Sequence, residues 1–67
     1  MPQIHVTVLK GRGEDEIEAL GSALTAAAST TLGVPREVVR VTVTECDPAH
    51  WFVGGTSMAE LRAAGER

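Results

Sequence analysis

The chain has 67 residues and a net charge of −3, and both numbers narrow what it can be. This length predicts one domain, residues 1–67, which buries only about 60% of the surface that its unfolded form exposes. The acidic balance argues against nucleic acid as a partner, and no apolar run approaches the roughly 20 residues that a membrane span needs.

The chain has too few cysteines and histidines to stabilise its small core by a disulfide or a structural metal site. Cys46 is the single cysteine, so no internal disulfide forms, and His5 and His50 join it at no recognisable metal-ligand spacing. We therefore predict no metal and no cofactor, and we expect partner subunits to complete the core. A free cysteine without a basic-then-apolar signal segment favours the cytoplasm.

Residues 3–9, QIHVTVL, alternate between apolar and polar side chains. Ile4, Val6 and Val8 share one face, which predicts a half-buried first strand. Pro2 fits at its head because a strand start is one of the few sheet positions that tolerate proline. The KGRG that follows ends the strand.

A long helix is predicted over residues 14–33. Gly13 is an acceptable N-cap, acidic residues fill the first turn, and Gly33 and Pro35 end the helix. Apolar residues recur at helical spacing, namely Ile17, Leu20, Leu24, Ala27, Ala28 and Leu32.

The segment EVVRVTVTEC, residues 37–46, predicts a second strand. It carries Val39, Val41 and Val43 on one face and Arg40, Thr42 and Thr44 on the other. Strand, helix and strand in so short a unit imply a parallel pair with a right-handed crossover. The valine faces would pack on the helix, and another subunit would cover the opposite face of the sheet.

In the last third of the chain, the segment DPAHWFVGGTS predicts a loop with a Gly-Gly turn, which could form a short hairpin. Ser57 and Glu60 then form a capping box, and Gly65 ends the short helix that follows. We expect this helical tail to dock on a neighbour or to fray. The fold class is therefore α/β, with parallel strands, one long helix and a short C-terminal hairpin and helical tail.

Pro2 is the first residue that could carry chemistry. Methionine is normally removed before a residue as small as proline, and removal would leave a secondary amine. A terminal amine titrates near pH 7.7–8.0, and an apolar pocket or a nearby cation would lower that value. The amine would then be a base suited to proton transfer at neutral pH. Alone, however, a proline here is more often a strand starter.

Two arginines and one aromatic residue are the other candidates. Arg12 follows the first strand and Arg40 lies in the second, and a guanidinium suits a carboxylate or an enolate oxygen. A solvated turn residue and an inter-subunit ion pair are their respective alternatives. Trp51 suits either a pocket wall or a subunit contact. His50 and Cys46 are better interpreted as structural residues.

Taken in order, these features resemble the 4-oxalocrotonate tautomerase family. The resemblance rests on the proline after Met1, LKGR closing the first strand, PREVVRV entering the second, and HWFVGG near the end. It covers residues 2–55, and the ordered set is more specific than any single motif. It implies a β-α-β fold assembled as a homohexamer, a trimer of dimers, with active sites between subunits.

The resemblance also implies roles for single residues. Pro2 would be the general base of an isomerase acting on a 2-hydroxydienoate or 2-keto acid, a small-molecule carboxylate such as 2-hydroxymuconate. Arg40 would stabilise the developing oxyanion as a second catalytic residue. Arg12 and Trp51 would bind the substrate.

Some features depart from the family pattern. Trp51 stands where phenylalanine is usual, Phe52 stands where glycine is common, and Pro2 can act as a base only when Met1 is absent.

A hydratase or dehalogenase relative would need an acid near Val53. A non-catalytic subunit of a hetero-oligomer is the other alternative. A substrate from a biosynthetic route fits the residues equally well.

Overall fold

The computed structural model describes residues 1–65, which form two parallel strands, a long helix, a short hairpin and a second short helix. The strands are β1 (Gln3–Leu9), β2 (Arg40–Cys46), β3 (Phe52–Val53) and β4 (Thr56–Ser57), and the helices are α1 (Glu14–Leu32) and α2 (Met58–Ala63). Short 3₁₀ turns cover Arg36–Val38 and Pro48–His50. This arrangement confirms the predicted α/β fold class.

The sheet is built by β1 and β2, which pair in parallel with Gln3 beside Arg40 and Leu9 beside Cys46. Along both strands, residues alternate between half-buried and exposed, and α1 packs against β2. The opposite face is polar. On it, His5 Nδ1 and Thr42 Oγ1 lie 2.6 Å apart across the two strands.

Helix α1 begins and ends where its sequence predicts. Gly13 is the N-cap, and three acidic residues occupy the first turn, where the helix dipole favours negative charge. Gly33 ends the helix in the left-handed conformation, with φ of 66°, and its N–H donates to the carbonyl of Ser29. The apolar stripe is narrower than predicted, because Ala27 is exposed and Leu32 is 60% exposed.

The predicted start of the second strand is wrong by three residues, since β2 begins at Arg40 and not at residue 37. Pro35, whose φ of −62° suits the entry to a helical turn, caps a 3₁₀ turn over Arg36–Val38 instead. The N–H of Val39 donates to the carbonyl of Arg36 at 3.0 Å. Val39 still belongs to the core, with 8% of its surface exposed.

The chain after β2 folds back on itself. Strands β3 and β4 form an antiparallel hairpin, and positive φ angles at Gly54 and Gly55 suit the two-residue turn between them. Helix α2 packs on the 3₁₀ turn Pro48–His50 and on β4, and Met58 is only 7% exposed. Helix α2 is formed and docks on its own chain, so the expectation that it would fray is wrong for the residues described, whereas its docking on a neighbour stays a prediction.

A single copy of the chain leaves much of its surface unburied. Its accessible surface is 4735 Å², against about 4,000 Å² for a folded monomer of this mass. Its radius of gyration is 15.1 Å, against about 11 Å for a compact domain of this length. Within residues 1–65, Val39 and Met58 are the only buried hydrophobic residues. None of the helices in residues 1–65 combines the length and the apolar character that a membrane-spanning helix requires.

Candidate functional site

Pro2 and Arg40 lie together where the two parallel strands begin. The backbone N–H of Arg40 donates to the carbonyl of Pro2 at 3.0 Å. The Arg40 side chain is exposed, and its Nη1 donates to the carbonyl of Glu37 at 2.7 Å. Pro2 is half-buried. The register of the sheet therefore brings the candidate base and one candidate cation to the same end of the sheet, where both strands begin.

Arg12 and Trp51 lie together at the other end of the sheet. Both line a cavity of about 460 Å³, together with residues 7–11 and Arg62. Arg12 Nη1 is 3.1 Å from Glu16 Oε2, and the two side chains are 59% and 62% exposed. An ion pair so exposed is worth little, so an anionic ligand can compete for the Arg12 guanidinium.

The position of Trp51 is set by the turn before it and the helix after it. The Asp47 side chain accepts a hydrogen bond from the N–H of Ala49 at 2.9 Å and so caps the turn Pro48–His50. The carbonyl of Trp51 then accepts from the N–H of Met58, at the start of α2, at 2.7 Å. These local bonds hold the half-buried indole at the cavity.

Within one chain, the four predicted residues form two pairs and not one site. The first pair adjoins Gln3 and the second follows Leu9, and six residue steps of a strand span about 20 Å. Because β1 and β2 run parallel, both strands begin at the first pair and end towards the second. One chain therefore cannot bring all four side chains to one small ligand.

Sequence reasoning missed two cations that line the same cavity, Lys10 and Arg62. The Ser57 cap could have helped to predict the position of Arg62, because it sets the start of α2 and so the direction of its side chains. The sequence pattern did not, however, predict that α2 docks beside Trp51. In the part of the chain described, no group of three or more potential ligands could hold a metal ion.

The comparison with known proteins identifies the family. A family profile described as tautomerase enzyme matches residues 2–61. The chain belongs to the tautomerase family. This membership confirms the resemblance drawn from the sequence, and it supports a tautomerase-type isomerase.

Individual relatives agree with the profile. A protein of Ralstonia nicotianae named as a probable tautomerase is 51% identical over 55 residues, covering 82% of this chain and 79% of that protein. The solved structure of TomN, described as a 4-oxalocrotonate tautomerase homologue in the tomaymycin biosynthetic pathway, is 61% identical with a TM-score of 0.90, covering 92% and 95%. A heterohexamer 4-oxalocrotonate tautomerase from Chloroflexus aurantiacus is 45% identical with a TM-score of 0.86, covering 92% and 100%.

Proposed function

We propose that the chain, once Met1 is removed, interconverts the enol and keto forms of a 2-hydroxydienoate such as 2-hydroxymuconate. The observation that carries the proposal is the pairing of Pro2 with Arg40 at the edge of the sheet, in a chain of the tautomerase family. Met1 is 79% exposed, so an aminopeptidase can reach it. Its removal frees the Pro2 nitrogen as a secondary amine.

The proposed reaction moves one proton. The neutral Pro2 amine takes the proton from the 2-hydroxyl group of the dienol and delivers it to C5, which leaves a ketone at C2 and shifts the remaining double bond. The Arg40 guanidinium binds the nearby carboxylate and the oxygen on which negative charge develops. No group outside the chain and its substrate is needed to balance this step.

The proposed substrate has to contact all four residues, and within one chain the two pairs lie too far apart for that. We therefore infer that the active site is shared between subunits. Pro2 and Arg40 lie about 20 Å from the end of β1 that leads to Arg12. A neighbouring copy supplies Arg12 to hold the distal carboxylate and Trp51 to exclude water. The large exposed surface of the single chain supports this assembly, and a hexamer, a trimer of dimers, is the proposed form.

The composition of the hexamer has a specific alternative. One similar structure is described as a heterohexamer, so a second, related chain is a possible partner, and this chain would then supply only part of each site. We propose the homohexamer because this chain itself carries all four residues. Turnover by the purified chain alone would support it, and turnover only after a second chain is added would favour the heteromer.

A hydratase or dehalogenase activity is less well supported. Val53, where such a relative would need an acid to activate water, is an apolar residue of β3.

For the physiological substrate we propose a dienol from a biosynthetic route. The likeness to TomN, itself described as part of such a pathway, supports this choice.

The state of the amino terminus tests the proposed base. Protein that mass spectrometry shows to start at Pro2 should ketonise 2-hydroxymuconate, and protein that retains Met1 should do so far more slowly, because its Pro2 nitrogen is an amide. Pro2→Ala is the matched variant and should keep part of the rate through its primary amine. Equal rates with and without Met1 would show that Pro2 is not the base.

A further inference from the structure

The cavity beside Trp51 carries more positive charge than the proposed substrate balances there. Three of the six Lys and Arg residues line it, namely Lys10, Arg12 and Arg62, in a chain whose net charge is −3. No Asp or Glu is among the described residues that line it. In the proposed reaction only the distal carboxylate of the dienol enters this cavity, because Arg40 binds the other one. A concave surface with this surplus of charge favours a ligand with more than one anionic group.

The sheet itself holds Lys10 at the cavity. The backbone N–H of Lys10 donates to the carbonyl of Cys46 at 2.8 Å, which extends the pairing of β1 with β2 one residue past Leu9. Gly11, with φ of 129°, then turns the chain. The position of Lys10 therefore follows from the end of the strand, while its exposed side chain keeps an ordinary charged ammonium group in reach of a ligand.

The charge of Lys10 is not neutralised within the described chain. Among residues 1–65, the one salt bridge joins Arg12 to Glu16, so no described carboxylate lies at ion-pair distance from the Lys10 ammonium. The proposed substrate gives Lys10 no partner either, since its distal carboxylate is assigned to Arg12. An ammonium group in this position is available to an anionic group that 2-hydroxymuconate lacks.

We propose that Lys10 is a specificity-determining residue that binds a further carboxylate, so that the preferred substrate is a branched dienol with three carboxylates. This inference rests on the proposed function and extends it, since it names a substrate class beyond linear dicarboxylates. A guanidinium matches the two oxygens of one carboxylate, whereas the Lys10 ammonium is a point charge that can bind an oxygen of a different group. The cavity of about 460 Å³ lies in the range of pockets for drug-sized ligands, which leaves room for the branch.

A matched pair of small carboxylates tests the inference without turnover. cis-Aconitate and trans-glutaconate share an unsaturated five-carbon chain and differ by one branching carboxylate. Trp51 is the single tryptophan of the chain and lines the cavity, so its fluorescence reports binding of either ligand. The titrations use full-length protein that begins at Pro2, at constant ionic strength and about pH 8, where the carboxylates are ionised.

Three variants accompany the wild type. Lys10→Gln removes the ammonium and leaves the backbone bond to Cys46 in place, so the strand end should keep its structure. Lys10→Arg keeps the positive charge at the same position. Arg36→Gln is the control, because Arg36 lies in the 3₁₀ turn before β2, outside the cavity lining, and its substitution makes the same change in charge as Lys10→Gln.

We expect the wild type to bind cis-aconitate about 5-fold more tightly than trans-glutaconate, a ratio of the size that an exposed charge pair gives. Lys10→Gln should lose this preference, with cis-aconitate binding about 5-fold weaker and trans-glutaconate binding within about 2-fold of the wild type. Lys10→Arg should keep most of the preference, and Arg36→Gln should leave the ratio unchanged.

Three results would overturn the inference: equal binding of the two ligands by the wild type, an unchanged ratio in Lys10→Gln, or the same loss in Arg36→Gln, which would show an effect of overall charge. The proposed function fails separately, since it concerns turnover. A protein that ketonises 2-hydroxymuconate without a preference for the tricarboxylate rejects only the role of Lys10. A protein that binds cis-aconitate through Lys10 and turns over no dienol rejects only the tautomerase proposal.

Discussion

At the scale of single residues, the two candidate arginines should affect different kinetic constants. Arg40 lies beside Pro2, at the position where negative charge would develop during proton transfer. An interaction that strengthens in the transition state acts on kcat. We therefore expect Arg40→Ala to lower kcat on the order of 100-fold, measured by the ketonisation of 2-hydroxymuconate under substrate saturation.

Arg12 is the matched case, because it lines the cavity at the far end of the sheet and, in the proposed reaction, would bind the carboxylate that does not react. Arg12→Ala should raise KM more than it lowers kcat. The ion pair between Arg12 and Glu16 supplies the control, since Glu16→Gln removes the partner and leaves the guanidinium in place. If Arg12→Ala lowers mainly kcat and Arg40→Ala raises mainly KM, the two proposed roles are reversed.

Trp51 should act through the pKa of the Pro2 amine. In the proposed shared site the indole would exclude water, which would strengthen the effect of nearby guanidinium groups on the amine. A cation opposes protonation, so the pKa of the amine falls, and the base is free at neutral pH. Trp51→Ala should admit water and raise that pKa. The acid limb of kcat/KM then moves to higher pH, and kcat at neutral pH falls.

The control for this prediction is Trp51→Phe, which keeps an apolar ring and should keep the pH profile and most of the activity. An unmoved profile together with an unchanged kcat in Trp51→Ala would assign Trp51 to packing at a subunit contact.

At the scale of elements, α2 depends on its cap. Ser57 is 6% exposed, and its side chain accepts from the N–H of Glu60. Loss of such a cap costs about 1 kcal/mol, which lowers the melting temperature of a domain of this size by about 4–8 °C. We expect that shift for Ser57→Ala, measured at fixed protein concentration because assembly affects stability. Ser22→Ala, on an exposed turn of α1, should melt near the wild type, and equal melting of both variants would contradict the prediction.

Local chemistry explains which elements could be predicted from the sequence. Gly33 ends a helix and Gly-Gly closes a hairpin because few other residues adopt positive φ, and both predictions are confirmed. The start of β2 was mistaken because Val38 and Val39, which belong to the 3₁₀ turn and the residue after it, directly precede the alternating residues of the strand. Arg62 was missed because only the docking of α2 on its own chain brings it to the cavity.

At the scale of the whole molecule, the four site residues test how copies of the chain combine. Sedimentation should first find six copies of the 7.0 kDa chain, about 42 kDa, and a monomer at micromolar concentration would exclude a shared site. If the site is shared, each variant chain lacks one of the two arginines and still supplies the other. Arg40→Ala keeps Arg12, and Arg12→Ala keeps Arg40. Mixed assemblies can then contain sites that take Arg40 from one variant and Arg12 from the other.

The mixing experiment follows from this count. The two variants are unfolded together in equal amounts and refolded, and each is also refolded alone as a control. With random assembly, about one quarter of the sites combine an intact Arg40 with an intact Arg12. We expect activity at low substrate concentration to rise to about that fraction of wild type, because both residues contribute to kcat/KM. If both arginines of a site came from one chain, no mixed site would be intact, and the mixture would be no more active than the separate variants. That result would overturn the shared site, whereas recovery would assign Arg40 and Arg12 to different subunits.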